Sequence, residues 1–473
     1  MKIAIAGASG FVGQSLTEAL LRDGHEVIAL TRGGKTPLPD LAPELAARLT
    51  VRSCDLFSLL DAELGLEGAQ LACYLVHSML PSARLTQGDF SAFDLIAADN
   101  FARAAKLHGV SQIVYLGGLI PEGPEALSRH LESRHEVERA LAAHGTPLTT
   151  LRAGLVIGAG GSTMLLLLRL VRRLPAMLLP SWTATRTQPV ALEDAVFLLR
   201  HCLGRQSCFG QTYDIGGPEV MTYRQMMQAA AEVLGVKRRL LPMPFFSTRL
   251  SRLWVSVVTG APRALVAPLI ESLRHPMVCR DRRLQDEVGR PGLPFREALR
   301  RAIRDLPAGA AAPRAYRKPP PSLTAPNEVR SVQRLPLPPG RDADWVSREY
   351  LRWLPRWMRP LVRVSVRDGL FCEFYLGPLR SPVLLLELSP ERSSPDRTLF
   401  YIRGGLLVDG SQGSRARLEF REVLDRQEVL AAIHEFRPRL PWLIYTATQA
   451  LGHLWVMRGF GRHLRALKAA GTD

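Results

Sequence analysis

Three glycines near the start of the sequence have the spacing of a phosphate-binding turn. Gly7, Gly10 and Gly13 come directly after an apolar segment and directly before an amphipathic pattern typical of a helix. In such a turn the first glycine permits the tight bend, the second lets a pyrophosphate approach the backbone, and the third lets the helix pack close to its strand. The helix N-terminus adds free N–H groups and a partial positive charge. The pattern predicts a dinucleotide site whose turn residues are Gly7, Ser9, Gly10, Phe11, Val12 and Gly13.

The end of the second predicted strand, residues 26–31, bears on the choice of dinucleotide. Sites that select NAD place a carboxylate here, against the ribose 2′-hydroxyl. This chain has Arg32 at that place, and the next acidic residue is Asp40. A guanidinium group matches the oxygens of a 2′-phosphate, although Arg32 also fits the description of one more surface arginine. We therefore expect NADP(H) to bind in preference to NAD(H).

Two further strand ends place residues beside the same site. Asp55 and Leu56 follow one strand pattern, and Val76 and His77 end the next. We expect Asp55 to contact the adenine amino group, to cap a helix over residues 57–64, or to do both. His77 lies by position at the same end of the sheet, where a packing role fits it equally well. These four residues complete the predicted cofactor site.

The overall composition predicts a globular protein of two domains. The chain has 473 residues, of which 47% are hydrophobic and 22% charged, and this length exceeds what one ordinary core accommodates. Its net charge is +17, and only six of its 61 basic residues are lysines. The arginine excess fits a GC-rich genome or contact with an anionic membrane surface. No arginine run is interleaved with aromatic residues as a nucleic-acid groove requires, so we expect no nucleic-acid partner, and peripheral membrane contact stays open.

Cysteine spacing and apolar runs indicate the compartment. The six cysteines have no metal-ligand or disulfide spacing, so they predict buried thiols in a reducing compartment and no metal site. The sequence opens on a strand pattern rather than on a signal peptide. Its most apolar run, residues 164–179, is interrupted by arginines and a proline and is too short to span a bilayer. We expect a cytoplasmic protein.

The order of strand and helix patterns predicts the fold. Strands and helices alternate over about the first 160 residues, as in a parallel sheet with helices on both faces, and residues 163–305 add a lobe on the substrate side. Residues 307–326 are rich in proline and alanine, a composition typical of an extended linker. The predicted fold class is α/β, a Rossmann-type doubly wound parallel sheet, followed by a smaller α+β domain with an antiparallel sheet and a long C-terminal helix over 441–467. The predicted domains are 1–306 and 329–473, joined by a linker at 307–328.

Several motifs together resemble the short-chain dehydrogenase/reductase superfamily. Besides the glycine turn they are Cys54-Asp55-Leu56, Tyr74-Leu75-Val76-His77-Ser78-Met79 and Tyr115-Leu116-Gly117-Gly118-Leu119. The set is most similar to the atypical, NmrA-like branch of NAD(P)H-binding proteins, over residues 1–305, and implies a Rossmann fold, bound NAD(P)H and hydride transfer. The element order of the last domain resembles helix-grip, START-like folds, whose members often enclose hydrophobic ligands. Polar candidates beside such a cavity are Arg403, Arg421 and His434.

The superfamily's usual catalytic pair, Tyr-x-x-x-Lys, has no counterpart at its place in this sequence. The spacing of four is kept there by His130 and Arg134, and the position of the usual serine falls near Gly117-Gly118. A histidine serves as a general acid near neutral pH, and Arg134 would hold a ribose or a phosphate. The resemblance therefore implies an oxidoreductase that acts on an apolar small molecule through these two residues. The alternative is a non-catalytic NADP(H)-binding regulator or assembly factor whose second domain binds a hydrophobic ligand or a partner.

Overall fold

The structure is a computed structural model, and it describes residues 1–77, 85–121, 127–243, 270–306, 328–409 and 415–470. Its contacts divide the chain into two compact units. The first comprises Met1–Leu80 and Ala97–Lys318, and the second comprises Pro81–Ile96 and Pro319–Asp473. The predicted linker lies outside the described residues except for its last residue. Residues 81–96 fall within the predicted first domain, whereas the contacts assign them to the second unit.

The first unit is built on a seven-stranded sheet whose neighbouring strands are all parallel. In spatial order the strands are β12 (Thr212–Ile215), β7 (Leu148–Ala153), β6 (Gln112–Gly118), β4 (Leu71–Tyr74), β1 (Lys2–Ala6), β2 (Glu26–Thr31) and β3 (Leu49–Ser53). β1 lies between β2 and β4, so the connections to its two neighbours run in opposite directions along the sheet. In a doubly wound sheet this reversal opens a crevice at the carboxyl ends of the strands, and the predicted fold class is confirmed.

Helices cover the sheet because its central strands, β1, β2 and β4, are almost wholly buried. Ile3, Ile5 and Val27 are at most 1% exposed, as strands covered on both faces require. The helices of this part of the chain are α1 (Phe11–Arg22), α2 (Pro43–Ala46), α3 (Leu59–Leu66), α4 (Phe90–Leu107), α5 (Arg129–Ala142), α6 (Ser162–Arg173), α7 (Leu192–Cys202), α8 (Tyr223–Val233), α9 (Arg283–Glu287) and α10 (Phe295–Arg304). Residue 96, where the two units divide, lies within α4.

The predicted lobe has a hydrophobic core of its own. Side chains of α6, α8 and α10 meet there around Trp182, and Met164, Met226 and Leu299 are almost fully buried in it. Short strand pairs connect the helices, and sequence patterns did not predict most of them. They are β8 (Val156–Ile157) with β11 (Val190–Ala191), β9 (Ala176–Leu179) with β14 (Arg239–Pro242), and β10 (Arg186–Thr187) with β13 (Met221–Thr222).

The second unit is an eight-stranded sheet with helices on one face. In spatial order its strands are β16 (Val362–Arg367), β17 (Phe371–Leu376), β18 (Leu384–Leu388), β19 (Arg397–Gly404), β20 (Arg417–Val423), β21 (Glu428–Phe436), β15 (Val329–Pro336) and β5 (Leu85–Gln87). All pairs are antiparallel except β15 with β5, which is parallel. The predicted antiparallel sheet is therefore present, and β5 adds an edge strand that sequence reasoning missed.

The C-terminal helix is divided in two. The structure has α12 (Trp442–Ala447) and α13 (Gln449–Ala470) where one helix over 441–467 was predicted. Thr448 separates them with a non-helical backbone (φ −124°, ψ −81°). Its side-chain hydroxyl donates to the carbonyl of Ile444 at 2.6 Å, a local bond that competes with helix geometry.

The helices α11 (Ala343–Trp357) and α13 pack on the face of the sheet that carries Leu418 and Phe420. Because side chains alternate between the faces of a strand, Glu419 and Arg421 point to the opposite face. Paired neighbours place His434 and Arg403 on that opposite face as well. The three polar residues predicted to line a cavity between sheet and helix therefore face away from the helices, and that prediction is wrong.

Candidate functional site

The glycine turn has the backbone geometry that its sequence predicts. Gly7 has φ +86°, a conformation that side chains other than glycine rarely adopt. Its carbonyl accepts a hydrogen bond from the N–H of Gly10 at 2.9 Å. A Cβ atom on Gly13 would lie 2.1 Å from that same carbonyl oxygen. The absence of a side chain at Gly13 is therefore what allows α1 to begin directly against the end of β1.

A cavity of about 530 Å³ opens at the carboxyl ends of β1 to β4. We call it the glycine-turn cavity. Nine of the eleven predicted cofactor residues line it: Gly7, Ser9, Gly10, Phe11, Arg32, Asp55, Leu56, Val76 and His77. Val12 and Gly13, in the first turn of α1, do not line it. Residues that are 70 positions apart along the chain thus meet at one edge of the sheet.

Arg32 brings a positive charge to this cavity. It directly follows β2, is exposed, and begins a short turn over residues 32–34. Thr31 before it is buried and donates its hydroxyl to the carbonyl of Lys35 at 3.1 Å. Arg52, on the neighbouring strand, is already bound to the carbonyls of Leu64, Gly65 and Glu67. Among the described residues that line the cavity, Arg32 is therefore the one arginine, and its guanidinium is the group that we expect to meet a 2′-phosphate.

Asp55 contacts the cavity but does not cap a helix. One of its carboxylate oxygens accepts from the N–H of Phe57 at 3.3 Å, which makes a local turn. α3 begins only at Leu59, and its cap is the hydroxyl of Ser58, which accepts from the N–H of Asp61. The predicted capping role of Asp55 is wrong, because the helix does not begin at Phe57 as predicted. Phe57 is buried in the turn before α3, and Ser58 is the residue that caps the helix.

His130 and Arg134 lie against two consecutive residues of the cavity wall. The ring of His130 is 4.9 Å from the ring of His77, centroid to centroid. The guanidinium of Arg134 donates to the carbonyl of Val76 at 3.4 Å and to that of Leu116 at 2.6 Å. Both residues lie on one face of α5, four positions apart, as neighbouring turns of a helix require. That face therefore packs over the ends of β4 and β6.

The contacts of Arg134 give it a positioning role. Its guanidinium ties the ends of two strands together and lies 5.1 Å from the ring centroid of Tyr115, whose hydroxyl donates to the carbonyl of Arg134. Two of its N–H groups are used for the main chain, so the role predicted for it, binding a ribose or a phosphate, relies on its remaining donors.

Sequence reasoning missed one wall of the cavity, which α6 provides. Ser162, the first residue of α6, lines the cavity together with the residues of the glycine turn. The ring of Phe11 packs on the preceding segment, where an added Cβ on Gly158 or Gly161 would lie 2.9 Å or 3.3 Å from it. The signal was a second glycine-rich run, residues 158–161, directly before a helix. Two helix N-termini therefore border the cavity, and each favours negative charge.

A second, almost wholly apolar cavity of about 90 Å³ lies in the lobe. We call it the lobe cavity; it is lined by Leu155, Thr163, Leu166, Leu167, Leu170, Trp182, Tyr223, Met226, Met227, Ile270 and Leu273. Thr163 directly follows Ser162, so the first turn of α6 contributes to both cavities. Burial raises the pKa of Tyr223 to about 12, which keeps this phenol neutral.

Comparison with known proteins agrees with this geometry. Residues 7–163 match the model of a family described as NAD(P)H-binding. The chain carries an NAD(P)H-binding domain. The auxiliary protein GraX of Staphylococcus aureus is 30% identical over 149 residues, which are 32% of this chain and 43% of GraX. A ceramide reductase of Caulobacter vibrioides is 27% identical over 249 residues, which are 51% of this chain and 73% of the reductase.

A solved structure shows the same fold. Triphenylmethane reductase of Citrobacter, in complex with NADP(H), matches with a TM-score of 0.50 and 19% identity over 64% of this chain and 100% of that one. The resemblance to atypical short-chain dehydrogenases/reductases is thus confirmed for the fold and the NAD(P)H-binding domain. The START-like resemblance of the second unit stays a prediction. No described helix is long and apolar enough to cross a membrane.

Proposed function

We propose that the chain is an NADP(H)-dependent oxidoreductase that reduces a carbonyl group of an apolar molecule, with His130 as the proton donor. The observation that carries the proposal is the contact of His130 with His77, a residue that lines the glycine-turn cavity. A general acid has to lie beside the reacting group, and this helix face is where the superfamily's usual catalytic pair would lie. The proposal therefore assigns the proton transfer to the histidine that stands in place of the tyrosine.

The residues of the cavity fit a dinucleotide. An added Cβ on Gly7 would lie 2.9 Å from the carbonyl oxygen of Leu75, so the turn tolerates no side chain there, and the N-terminus of α1 that follows offers N–H groups to phosphate oxygens. Arg32 offers a bidentate partner for a 2′-phosphate, which supports NADP(H) over NAD(H). When bound, NADPH would supply the hydride for the carbonyl carbon, and the carbonyl oxygen would then need a proton. His130 gives that proton and takes another from water.

The lobe cavity supports an apolar substrate. Its walls are aliphatic, aromatic and methionine side chains, apart from Thr163 and the hydroxyl of Tyr223. The first turn of α6 borders both cavities, because Ser162 lines the glycine-turn cavity and Thr163 lines the lobe cavity. A hydrocarbon group there gains about 25 cal/mol for each Å² removed from water. The ceramide reductase among the relatives has a name that implies a substrate of the same chemical class.

A cytoplasmic location belongs to the same proposal. All six cysteines are free thiols, and five of them are buried. Burial raises the pKa of Cys54 and of Cys73 to about 12, so these thiols stay protonated at neutral pH. Unpaired cysteines are typical of a reducing compartment.

A second candidate is a regulator that binds NADP(H) without turnover. It is favoured by the engagement of Arg134 with the carbonyls of Val76 and Leu116, because the lysine of the usual pair holds the ribose instead. The glycine-turn cavity would then sense the nucleotide, and the second unit would bind a hydrophobic ligand or a partner protein.

The two candidates are separated by binding and turnover measured on the same protein. NADPH binding is followed by nicotinamide fluorescence, and turnover by loss of NADPH absorbance with a panel of long-chain ketones and aldehydes. We expect His130→Ala to keep the affinity for NADPH within a few-fold and to lower turnover by about 10²–10⁴. His135→Ala, on another face of α5, is the matched control and should keep full turnover.

Other outcomes of that experiment decide against parts of the proposal. Full turnover in His130→Ala removes His130 from the chemistry. Binding of NADPH by the wild type, with no oxidation by any carbonyl compound of the panel, favours the regulator. Failure of the wild type to bind either dinucleotide contradicts both candidates.

A further inference from the structure

Four large apolar side chains are exposed at one end of the helical layer of the second unit. We call them the apolar tip: Leu443 (82% exposed), Ile444 (51%), Leu451 (58%) and Trp455 (52%). The first two belong to α12 and the last two to α13. Isolated exposed apolar residues are common on protein surfaces, but a group of this size on adjoining helices marks an interaction site.

An aromatic contact ties the tip to the end of α11. The ring of Trp455 lies 4.4 Å from that of Trp357, which also stacks on Trp353 at 4.6 Å. Leu361, just after the end of α11, is 56% exposed. The half-exposed Trp455 therefore packs on the half-buried Trp357, which stacks on the buried Trp353, and the tip continues from α13 toward the segment that follows α11.

The two segments that form this region contain basic residues and no acid. Residues 350–367 and 436–472 include neither Asp nor Glu. Their eleven basic residues are Arg352, Arg356, Arg359, Arg363, Arg367, Arg437, Arg439, Arg458, Arg462, Arg465 and Lys468. Both segments therefore carry a local excess of positive charge. Residues 139–192 and 237–270 also contain basic residues and no acid, with six basic residues each.

The arginines continue the exposed stripe of α13. Leu451, Trp455, Arg458 and Arg462 follow one another at intervals of four, three and four residues and are all exposed, which places them on one face of the helix. Within the described part of the chain, no ion pair is found for Arg356, Arg359, Arg458 or Arg462. The face therefore changes from apolar to cationic along its length, and its charges are available to an external anion.

We propose that the apolar tip and its flanking arginines dock on the surface of an anionic lipid bilayer. Aliphatic and Trp side chains insert at the boundary between headgroups and acyl chains, and arginines beside them contact anionic headgroups. Nucleic acid uses the arginines but gains nothing from Leu443, Ile444 and Leu451. A second copy of the chain would bring two sets of unpaired arginines together. The lipid surface is the partner that uses both features, and docking needs no helix that crosses the membrane.

The test is co-sedimentation of the full chain with vesicles. We expect binding to vesicles of phosphatidylcholine with about 30 mol% phosphatidylglycerol, whose anionic headgroups give the surface a negative potential, and little binding to phosphatidylcholine alone. Salt at about 0.5 M should weaken it, because screening shortens the reach of surface charges. Arg458→Glu/Arg462→Glu should lower the partition coefficient by about 20-fold or more, since each basic residue near such a surface is worth roughly a factor of five.

Matched controls separate this surface from the net charge of the protein. Arg48→Glu/Arg172→Glu makes the same change of charge at exposed sites of the first unit and should bind as the wild type does. Leu443→Ser/Ile444→Ser should lower binding about tenfold or more by the loss of buried hydrocarbon. Leu64→Ser/Leu107→Ser, at leucines 59% and 64% exposed, should not.

Several results would overturn the proposal. Absence of binding to the anionic vesicles is one, and equal loss in both charge-reversal variants is another. Binding to a single-stranded RNA homopolymer but not to vesicles would assign the arginines to nucleic acid. A dimer in sedimentation velocity that Leu443→Ser/Ile444→Ser dissociates would assign the tip to a second copy. Unchanged near-ultraviolet circular dichroism of each variant shows that its fold is retained.

Discussion

The two sheets of this protein place their charged residues in opposite ways. In the parallel sheet of the first unit, charge lies at the open carboxyl edge, where exposed Arg32 and half-buried Asp55 line a cavity. In the second unit, Glu419 and Arg421 lie in the middle of the sheet and are 1% and 0% exposed. The first set is available to a ligand, whereas the second is enclosed by protein. The charges at the strand ends are those to which we assign cofactor binding, and the charges within β20 are those to which we assign a structural role.

The enclosed set forms a compact ionic cluster around Glu419. Its carboxylate accepts from Arg397 at 2.8 Å and from Arg421 at 3.1 Å, and it lies 3.3 Å from His434. Burial alone would raise the pKa of Glu419, but Arg421 and Arg397, with His434, outweigh burial and hold that pKa well below its usual range. Burial, then Arg417, lowers the pKa of His434 to about 4, although Glu419 opposes this. At neutral pH the cluster contains an ionised glutamate and a neutral histidine.

The largest effect that tests this contrast is expected from Glu419→Gln. Removing the charge leaves two arginines buried without their carboxylate, which costs about 3–5 kcal/mol in the free energy of unfolding. Urea unfolding followed by Trp fluorescence reports on it, because five of the seven tryptophans belong to the second unit: Trp345, Trp353, Trp357, Trp442 and Trp455. The affinity for NADPH should stay within about twofold of that of the wild type. Loss of NADPH binding without loss of stability would make the cluster functional.

The next effect concerns the open edge. Arg32→Ser should weaken NADPH binding by about 10- to 100-fold, because a hydrogen bond to a charged group is worth roughly 1.5–3 kcal/mol. NADH has no 2′-phosphate, so its affinity should change little, and the stability of the fold should stay as it is at this exposed position. Lys35→Ser, three residues later and also exposed, is the control. Equal affinities of the wild type for the two dinucleotides would refute the proposed preference.

Sequence reasoning worked best where neighbouring residues decide the structure. The strand, glycine turn and helix over residues 2–22 are specified locally, because each element follows directly from its own pattern. β5 was missed because three residues, Leu85–Gln87, carry no strand pattern of their own and pair with residues 329–331. The wall that includes Ser162 was missed for the same reason, since the segment before it packs through Gly161 on Phe11, which lies 150 positions earlier.

The Glu419 cluster shows a second limit of the sequence. Alternation along β20 predicts that Glu419 and Arg421 share a face, but it does not say whether that face is the one that packs on helices. The apolar contacts of Leu418 and Phe420 with α11 and α13 decide the question. In the first unit no such choice arises, because both faces of a doubly wound sheet are covered and its functional residues come from the strand ends.

One substitution, made in both units, tests how tightly each backbone is packed. Gly13→Ala puts a Cβ 2.1 Å from the carbonyl oxygen of Gly7, so α1 has to move, at a cost of about 1–3 kcal/mol. The affinity for NADPH should fall with it. Gly452→Ala, in α13, meets nothing within 4 Å and should instead stabilise the fold by roughly 0.5–1 kcal/mol, as alanine does within a helix. Thermal unfolding and NADPH titration of both variants measure the difference, and unaltered NADPH affinity in Gly13→Ala would contradict the role of the turn.

The last effect is the pH dependence that the enclosed histidine gives to stability. The pKa of His434 is lowered in the folded protein, so the unfolded chain binds a proton there first as the pH falls. The stabilisation is complete above about pH 6.5 and is lost as the pH drops toward about 4, at up to about 1.4 kcal/mol per pH unit. His453, whose pKa burial also lowers to about 4, adds a slope of the same sign. His434→Gln should therefore flatten the fall in unfolding free energy between pH 6 and 4.5, whatever its effect at pH 7. An unchanged slope would mean that the pKa of His434 is the same in the folded and unfolded states. The stability of the second unit would then depend on pH through other groups.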